Sequence, residues 1–279
     1  MSNFWTEGIE GAVSLTFDDG IVTQLDNAIP CLNENTLKGT FYLNPNRGER
    51  WGNLLEQWKE ASRQGHEIGN HTCSHPCSCN FEFSRENCLE KLTLDDIAET
   101  IDTATEVMNA EFPEQNGHRS FCYPCYQSDV GSGVSRQSYV PLVAERFLCG
   151  RGGGERANNP ELVDLAYTWA WAVNGHSGQD MIDYIEKAVS QGHWAIICMH
   201  GVGGEHIAID TEALAETCAY LNHHRDLIVT DTNEGSPTFG PQPLPPPNNL
   251  FTLVDTTSSN SAKGETWGIE LFTRVEVLN

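Results

Sequence analysis

The stretch SLTFDDG (14–20) runs a short apolar strand into two adjacent aspartates and a glycine. Neighbouring carboxylates raise one another's pKa unless a cation lies close by. Asp18 and Asp19 therefore call for a positive partner, and the search for it organises the rest of the chain. Successive side chains of a strand point to opposite faces, so two acids at its end can serve two directions. Gly20 allows the sharp turn that must follow.

Outward from this stretch, apolar runs alternate with helical patterns. AVSLTF (12–17), GTFYLN (39–44), HEIGNH (66–71), SFCY (120–123), RFLC (146–149), VDLAYTWAWA (163–172), WAIICMH (194–200) and DLIVTD (226–231) read as strands. LDNAIPCLNEN (25–35, interrupted by Pro30), LLEQWKEASRQG (54–65), LTLDDIAETIDTATEVMNAEF (92–112), MIDYIEKAVSQG (181–192) and AIDTEALAETCAYLNHH (208–224) read as helices. Such alternation implies a parallel sheet or barrel with its site at the C-terminal ends of the strands. After Asp231 the run NEGSPTFGPQPLPPPNNL can continue neither a helix nor a central strand. The expected division is a catalytic unit over 1–232 and a Pro/Gly-rich extension over 233–279 that ends in one strand-like stretch.

The 279 residues carry 39 acidic and 16 basic side chains, a formal charge of −23. That balance opposes binding to nucleic acid or to an anionic membrane surface, both of which need clustered Lys and Arg. No run of apolar residues is long enough to span a bilayer. MSNFWTEGIEG lacks the basic start and apolar core of a secretory signal. The expectation is a cytoplasmic protein, with secretion left open if a leader has been removed. The ten cysteines do not form a disulfide pattern along the chain, and free structural thiols are expected. Cys73, Cys77 and Cys79 in HTCSHPCSCN leave a zinc-knuckle reading open, without a second cysteine pair at the required spacing.

HTCSH (71–75) holds the partners for the double aspartate. His71 and His75 are four residues apart, which on a helical turn places both imidazoles on one face. Asp19 can complete a three-ligand set around a divalent cation that keeps an open coordination position. The same dication would offset the repulsion between the two acids.

TFDDG (16–20), HTCSH (71–75), part of FCYPCY (121–126) and IICMHG (196–201) together resemble, in this order, the motifs of the polysaccharide deacetylases of carbohydrate esterase family four. The resemblance spans roughly 10–232. It implies a distorted (β/α) barrel of about seven parallel strands and metal-dependent removal of acetyl groups from an acetylated carbohydrate. N-acetyl is the first expectation and O-acetyl the second. It implies Asp18 as general base, His200 as general acid, and Asp19, His71 and His75 as ligands of Zn²⁺, with Co²⁺ or another divalent ion as substitute. Pro124 is retained, so the Cys125 backbone N–H is expected at the oxyanion. Tyr123 and Trp171 are candidates for the substrate wall, Trp171 with its neighbour Trp169.

The third motif lacks the arginine that orients the base in many members. Cys122 stands near its place, and Arg119 is the candidate substitute. No aspartate adjoins Trp171 to orient His200, so Asp164 or Asp180 would have to reach it. CGRGGGER (149–156) reads as a loop without the Lys-Ser/Thr of a phosphate cradle, with Arg151 a groove residue at most. Two other functions stay open: an amide hydrolase of the same fold acting on a small cyclic amide, and a carbohydrate-binding relative without turnover. The sequence does not set the oligomeric state.

Overall fold

The computed structural model describes Trp5 and residues 8–45, 48–115 and 119–230. The extension over 233–279, with the strand-like stretch expected at its end, lies outside the described residues. Among the described residues ten strands run in chain order: β1 (Gly11–Asp18), β2 (Thr40–Leu43), β3 (Glu67–Asn70), β4 (Phe121–Cys122), β5 (Asp129–Val130), β6 (Gln137–Ser138), β7 (Gly150–Arg151), β8 (Trp171–Ala172), β9 (Trp194–Met199) and β10 (Ile228–Thr230). The helices are α1 (Ile29–Glu34), α2 (Gly48–Arg63), α3 (Leu94–Glu111), α4 (Val140–Arg146), α5 (Gly178–Val189) and α6 (Thr211–His223). Among the described residues, no helix is long and apolar enough to cross a membrane.

The main sheet is parallel and ordered β7-β4-β3-β2-β1-β9-β8. β10 pairs with the first residues of β1, on the edge whose later residues pair with β2. An isolated parallel bridge between Arg151 and Thr168 joins β7 to the segment leading into β8, so the order returns on itself. This is the distorted barrel of about seven parallel strands expected from the sequence. Every residue of β1, β2 and β9 is buried, as in parallel strands covered on both faces. Val13, Leu15 and Phe17 of β1 pack with Phe41, Ile197 and Met199 in the main core. α3 buries Ile97, Ile101, Ala104 and Met108, a helical stripe that starts at a Thr93–Asp96 capping box.

Three elements differ from the expected ones. RFLC does not form a strand: Arg146 ends α4, and the strand begins four residues later at Gly150. The apolar run misplaced the element because Val143 and Phe147 of this region pack as a helical face instead. Most of VDLAYTWAWA is irregular, with one helical turn at Leu165–Tyr167 and a strand only at Trp171–Ala172. The helix broken at Pro30 is a wide five-residue turn, Gln24–Ala28, running into α1, with the proline in the first turn where its missing N–H is least costly.

The expectation of free thiols is overturned at four of the ten cysteines. Cys77 bonds Cys125, 48 residues away, and Cys79 bonds Cys88. Spacing along the chain could not show the first pair, because two separate loops bring its members together. With Cys77 and Cys79 so engaged, the zinc-knuckle reading has lost two of its three ligands. Cys31, Cys73, Cys122, Cys149, Cys198 and Cys218 are free.

Candidate active site

Strand ends converge on one point. Asp18 ends β1, Cys122 ends β4 and Arg151 ends β7, while His71 and His200 directly follow β3 and β9. Gln24, fully buried, ties two of these ends by donating from Nε2 to the Asp18 carbonyl and to the His200 carbonyl at 3.0 Å.

The two aspartates face different partners because the chain turns left-handed between them. Asp19 has φ 72° and Gly20 φ 57°. A Cβ on Gly20 would also lie 2.9 Å from Leu43, so glycine is required twice over. Asp19 Oδ1 lies 3.4 Å from His75 Nε2 and 3.8 Å from His71 Nε2. The three side chains offer ligand atoms within 4.8 Å of one another. His71 Nδ1 lies 2.9 Å from the Cys122 carbonyl, which fixes the proton on Nδ1 and leaves Nε2 facing Asp19. Burial pulls the His71 imidazole below its usual value, against the opposing pull of Asp18 and Asp19. A neutral imidazole is the form that ligates a metal.

The expected helical turn under HTCSH is absent. The segment is a loop in which Thr72 (φ 62°) and His75 (φ 47°) are left-handed, and the Thr72 hydroxyl accepts from the His75 N–H at 2.9 Å. The imidazole rings still meet, with centroids 4.7 Å apart. Backbone strain of this kind in non-glycine residues gathers at functional sites.

Asp18 is buried, and Arg151 Nη2 donates to its Oδ1. The Cys122 and Cys198 thiols approach Asp18 Oδ2 at 3.6 Å and 3.4 Å. Burial alone would raise the Asp18 carboxyl. Arg151, with help from His71 and His200, outweighs it and holds the group well below the usual carboxylate range. His200 Nε2 lies 3.9 Å from Asp18 Oδ2 and 4.0 Å from Asp19 Oδ2.

Arg151 is the residue that sequence reasoning missed. It is 1% exposed, and its guanidinium lies 5.1 Å from the ring centre of Tyr42 and 5.5 Å from that of Tyr126. It is paired in register with Cys122 on the neighbouring strand, and its Nη2 lies 2.7 Å from Cys122 Sγ. The arginine absent from the third motif thus arrives from the next strand over. Arg119 does not reach the site: its guanidinium donates to the Ile68 carbonyl and to Asn109 Oδ1. The one signal available in the sequence was an arginine close behind an apolar run, and the loop reading of CGRGGGER hid it.

Other expected residues fall as follows. Tyr123 is fully buried in a core of Phe121, Tyr139 and Val143 and donates its hydroxyl to the Ala166 carbonyl, so it offers no face to a substrate. Pro124 is buried, and Cys125 (φ 51°) carries the disulfide to Cys77. Trp171 is half-buried against Tyr184 and His176. Asp164 and Asp180 cap their own helical turns, and His200 Nδ1 is buried with no hydrogen-bond partner among the described residues. A groove of about 910 Å³ lined by Trp169, Tyr184 and Lys187 includes none of the converging side chains.

Comparison with known proteins agrees with this arrangement. Residues 7–135 match the family model for polysaccharide deacetylase. A chitin deacetylase from a Pestalotiopsis species is 36% identical over 70 residues, covering 24% of this chain and 22% of the relative. A peptidoglycan-N-acetylglucosamine deacetylase from Bacillus cereus is 40% identical over 65 residues, covering 23% and 22%. A chitin disaccharide deacetylase from Vibrio alginolyticus is 30% identical over 170 residues, covering 59% and 34%. The chain spans about a quarter of the length of the first curated relatives it matches. A presumed polysaccharide deacetylase from Mycobacterium smegmatis shares the fold, with a TM-score of 0.56 at 17% identity over 81% of this chain and 88% of that one. The matched residues carry both aspartates and both histidines of the cluster, and over them this chain is similar to the polysaccharide deacetylases.

Proposed function

We propose that this protein hydrolyses acetyl groups from an acetylated carbohydrate, N-acetyl before O-acetyl, with a divalent metal held by Asp19, His71 and His75. The observation that carries the reading is the convergence of those three ligand atoms beside an Asp18 that an arginine already engages. The donor set of one carboxylate and two imidazoles suits Zn²⁺ first, with Co²⁺ as substitute. When bound, such an ion polarises an acyl oxygen and acidifies a water.

The chain's own residues supply the proton transfers. Asp18 stays ionised at any ordinary pH because of Arg151, and it takes the proton of the attacking water. Arg151 fixes which Asp18 oxygen remains available by occupying Oδ1. His200 Nε2 lies on the same side as Asp18 Oδ2 and returns a proton to the leaving nitrogen, or to the leaving oxygen of an ester. Cys125 is assigned the oxyanion through its backbone N–H, on a turn that the Cys77 disulfide holds. Trp171 is assigned to the wall beside the leaving group. The catalytic unit is assigned to 1–232. The two disulfides favour an oxidising compartment over the cytoplasm.

The test is acetate release from a panel of acetylated glycans with added Zn²⁺, Co²⁺ or chelator. The wild type should release acetate with metal and lose it to chelator. His71→Ala should retain no metal and release none. Full release by His71→Ala under chelation would overturn the reading.

A further inference from the structure

Two exposed phenylalanines stand beside the ligand cluster with no role in the chemistry above. Phe81 is 43% exposed and Phe83 67% exposed. Their rings lie 5.4 Å apart, and the Phe83 ring is 6.5 Å from that of His75. Val134 and Leu162 are also large exposed apolar side chains.

The segment that bears the rings is held at both ends. Cys79–Cys88 closes it into a small loop, and Cys77–Cys125 fastens its start to the turn that follows β4. The Ser84 hydroxyl accepts from the Cys77 N–H at 2.8 Å and donates to the Cys77 carbonyl at 3.0 Å. The Glu90 carboxylate accepts from the Cys79 N–H at 2.8 Å. Two rings kept in water on a braced loop lose little entropy when something settles on them. They are too small an area for a stable protein interface, which needs on the order of 800 Å² per partner. A pyranose ring suits them better. One of its faces presents mainly C–H groups, and aromatic rings cover such faces while the hydroxyl rim stays wet.

We propose that Phe81 and Phe83 form a stacking platform for a second sugar ring of the same carbohydrate whose acetylated residue lies at Asp19, His71 and His75. This inference rests on the reading of the site as a carbohydrate deacetylase. It makes the loop closed by Cys79–Cys88 the part of the chain that selects for oligomers over single sugars.

The experiment measures kcat/KM for acetate release on an acetylated pentasaccharide and on the matching monosaccharide, with Zn²⁺ present. The ratio of the two should fall about tenfold in Phe83→Ala and further in the double variant Phe81→Ala/Phe83→Ala. Phe83→Trp should restore it, and Val134→Ala should leave it as in the wild type. Titration of the pentasaccharide into Asp18→Asn protein, with and without Phe83→Ala, reads the same contact without turnover, and affinity should drop by a similar factor. A ratio and an affinity both within twofold of the unsubstituted proteins would overturn the platform. So would a wild-type dimer that Phe83→Ala dissociates with no change in chain-length preference. If no acetylated glycan is cleaved, the deacetylase reading falls, and the titration alone then decides whether the rings bind sugar.

Discussion

Arg151 reaches Asp18 from β7, and that contact sets the charge of the carboxylate proposed as the base. A buried carboxylate without a cation would take up a proton; with Arg151 against Oδ1 it stays charged and oriented. Arg151→Gln should therefore lower kcat by about 10²-fold with a smaller change in KM, read by steady-state acetate release. The same substitution strands a buried charge, so thermal melting should show a loss of stability as well. The swap Cys122→Arg/Arg151→Cys returns a guanidinium to the pocket across the same register and should recover part of both losses; no recovery would mean that the strand of origin matters. The positions of Asp18, His71 and His200 were legible in the sequence because each ends a strand-like run, that of Asp19 because it adjoins Asp18, and that of His75 because it stands four residues from His71. Arg151 was not, because its partner Asp18 lies on another strand of the barrel, 133 residues away along the chain. Tyr123 was misjudged for a related reason: a tyrosine beside a motif proline looks the same whether it faces a ligand or the core.

At the scale of elements, the loop that follows β3 carries His75 and has no helical scaffold of its own. Its stiffness comes from the Thr72 hydroxyl, the left-handed residues and the Cys77–Cys125 bond. A cross-link over 48 residues stabilises a fold by about 2–4 kcal/mol, chiefly through the unfolded chain. Cys125→Ser should lower the melting temperature by that equivalent. It should also weaken Zn²⁺ retention, because His75 Nδ1 packs 3.6 Å from Cys77 Sγ. Competition with a chromophoric chelator checks the second effect, and unchanged Zn²⁺ affinity would separate the disulfide from the ligand loop. The alternation of strands and helices was readable from periodicity. The disulfides and the true start of β7 were not, since loop closure and the choice between a helical and an extended apolar run are decided by tertiary packing.

For the whole molecule, acid sensitivity has a source away from the site. His66 is 1% exposed, with Nδ1 accepting from the Gly39 N–H at 3.1 Å and Nε2 facing Asn33 Oδ1 at 3.2 Å. Burial, aided by Lys38, pulls its imidazole down to about 3. Between pH 6.5 and about 3 the unfolded chain binds a proton that the folded chain refuses, so stability falls as pH falls through that window. Buried Glu67, pushed upward, acts with the opposite sign, so the comparison must be with a variant rather than with one curve. Denaturant midpoints at pH 7 and pH 4.5 should fall more for the wild type than for His66→Gln. Equal falls would exclude His66 as the cause.

The ring of strands is completed where Arg151 meets Thr168, and two backbone hydrogen bonds flank that meeting: Thr168 N–H to the Gly150 carbonyl at 2.7 Å and Gly152 N–H to the Thr168 carbonyl at 2.9 Å. The hoop's clasp is thus centred on the residue whose guanidinium engages Asp18. If the breathing that unfastens the clasp also lifts Arg151 off Asp18, deuterium uptake at the Gly152 and Thr168 amides should rise as the fraction of molecules fit to react falls.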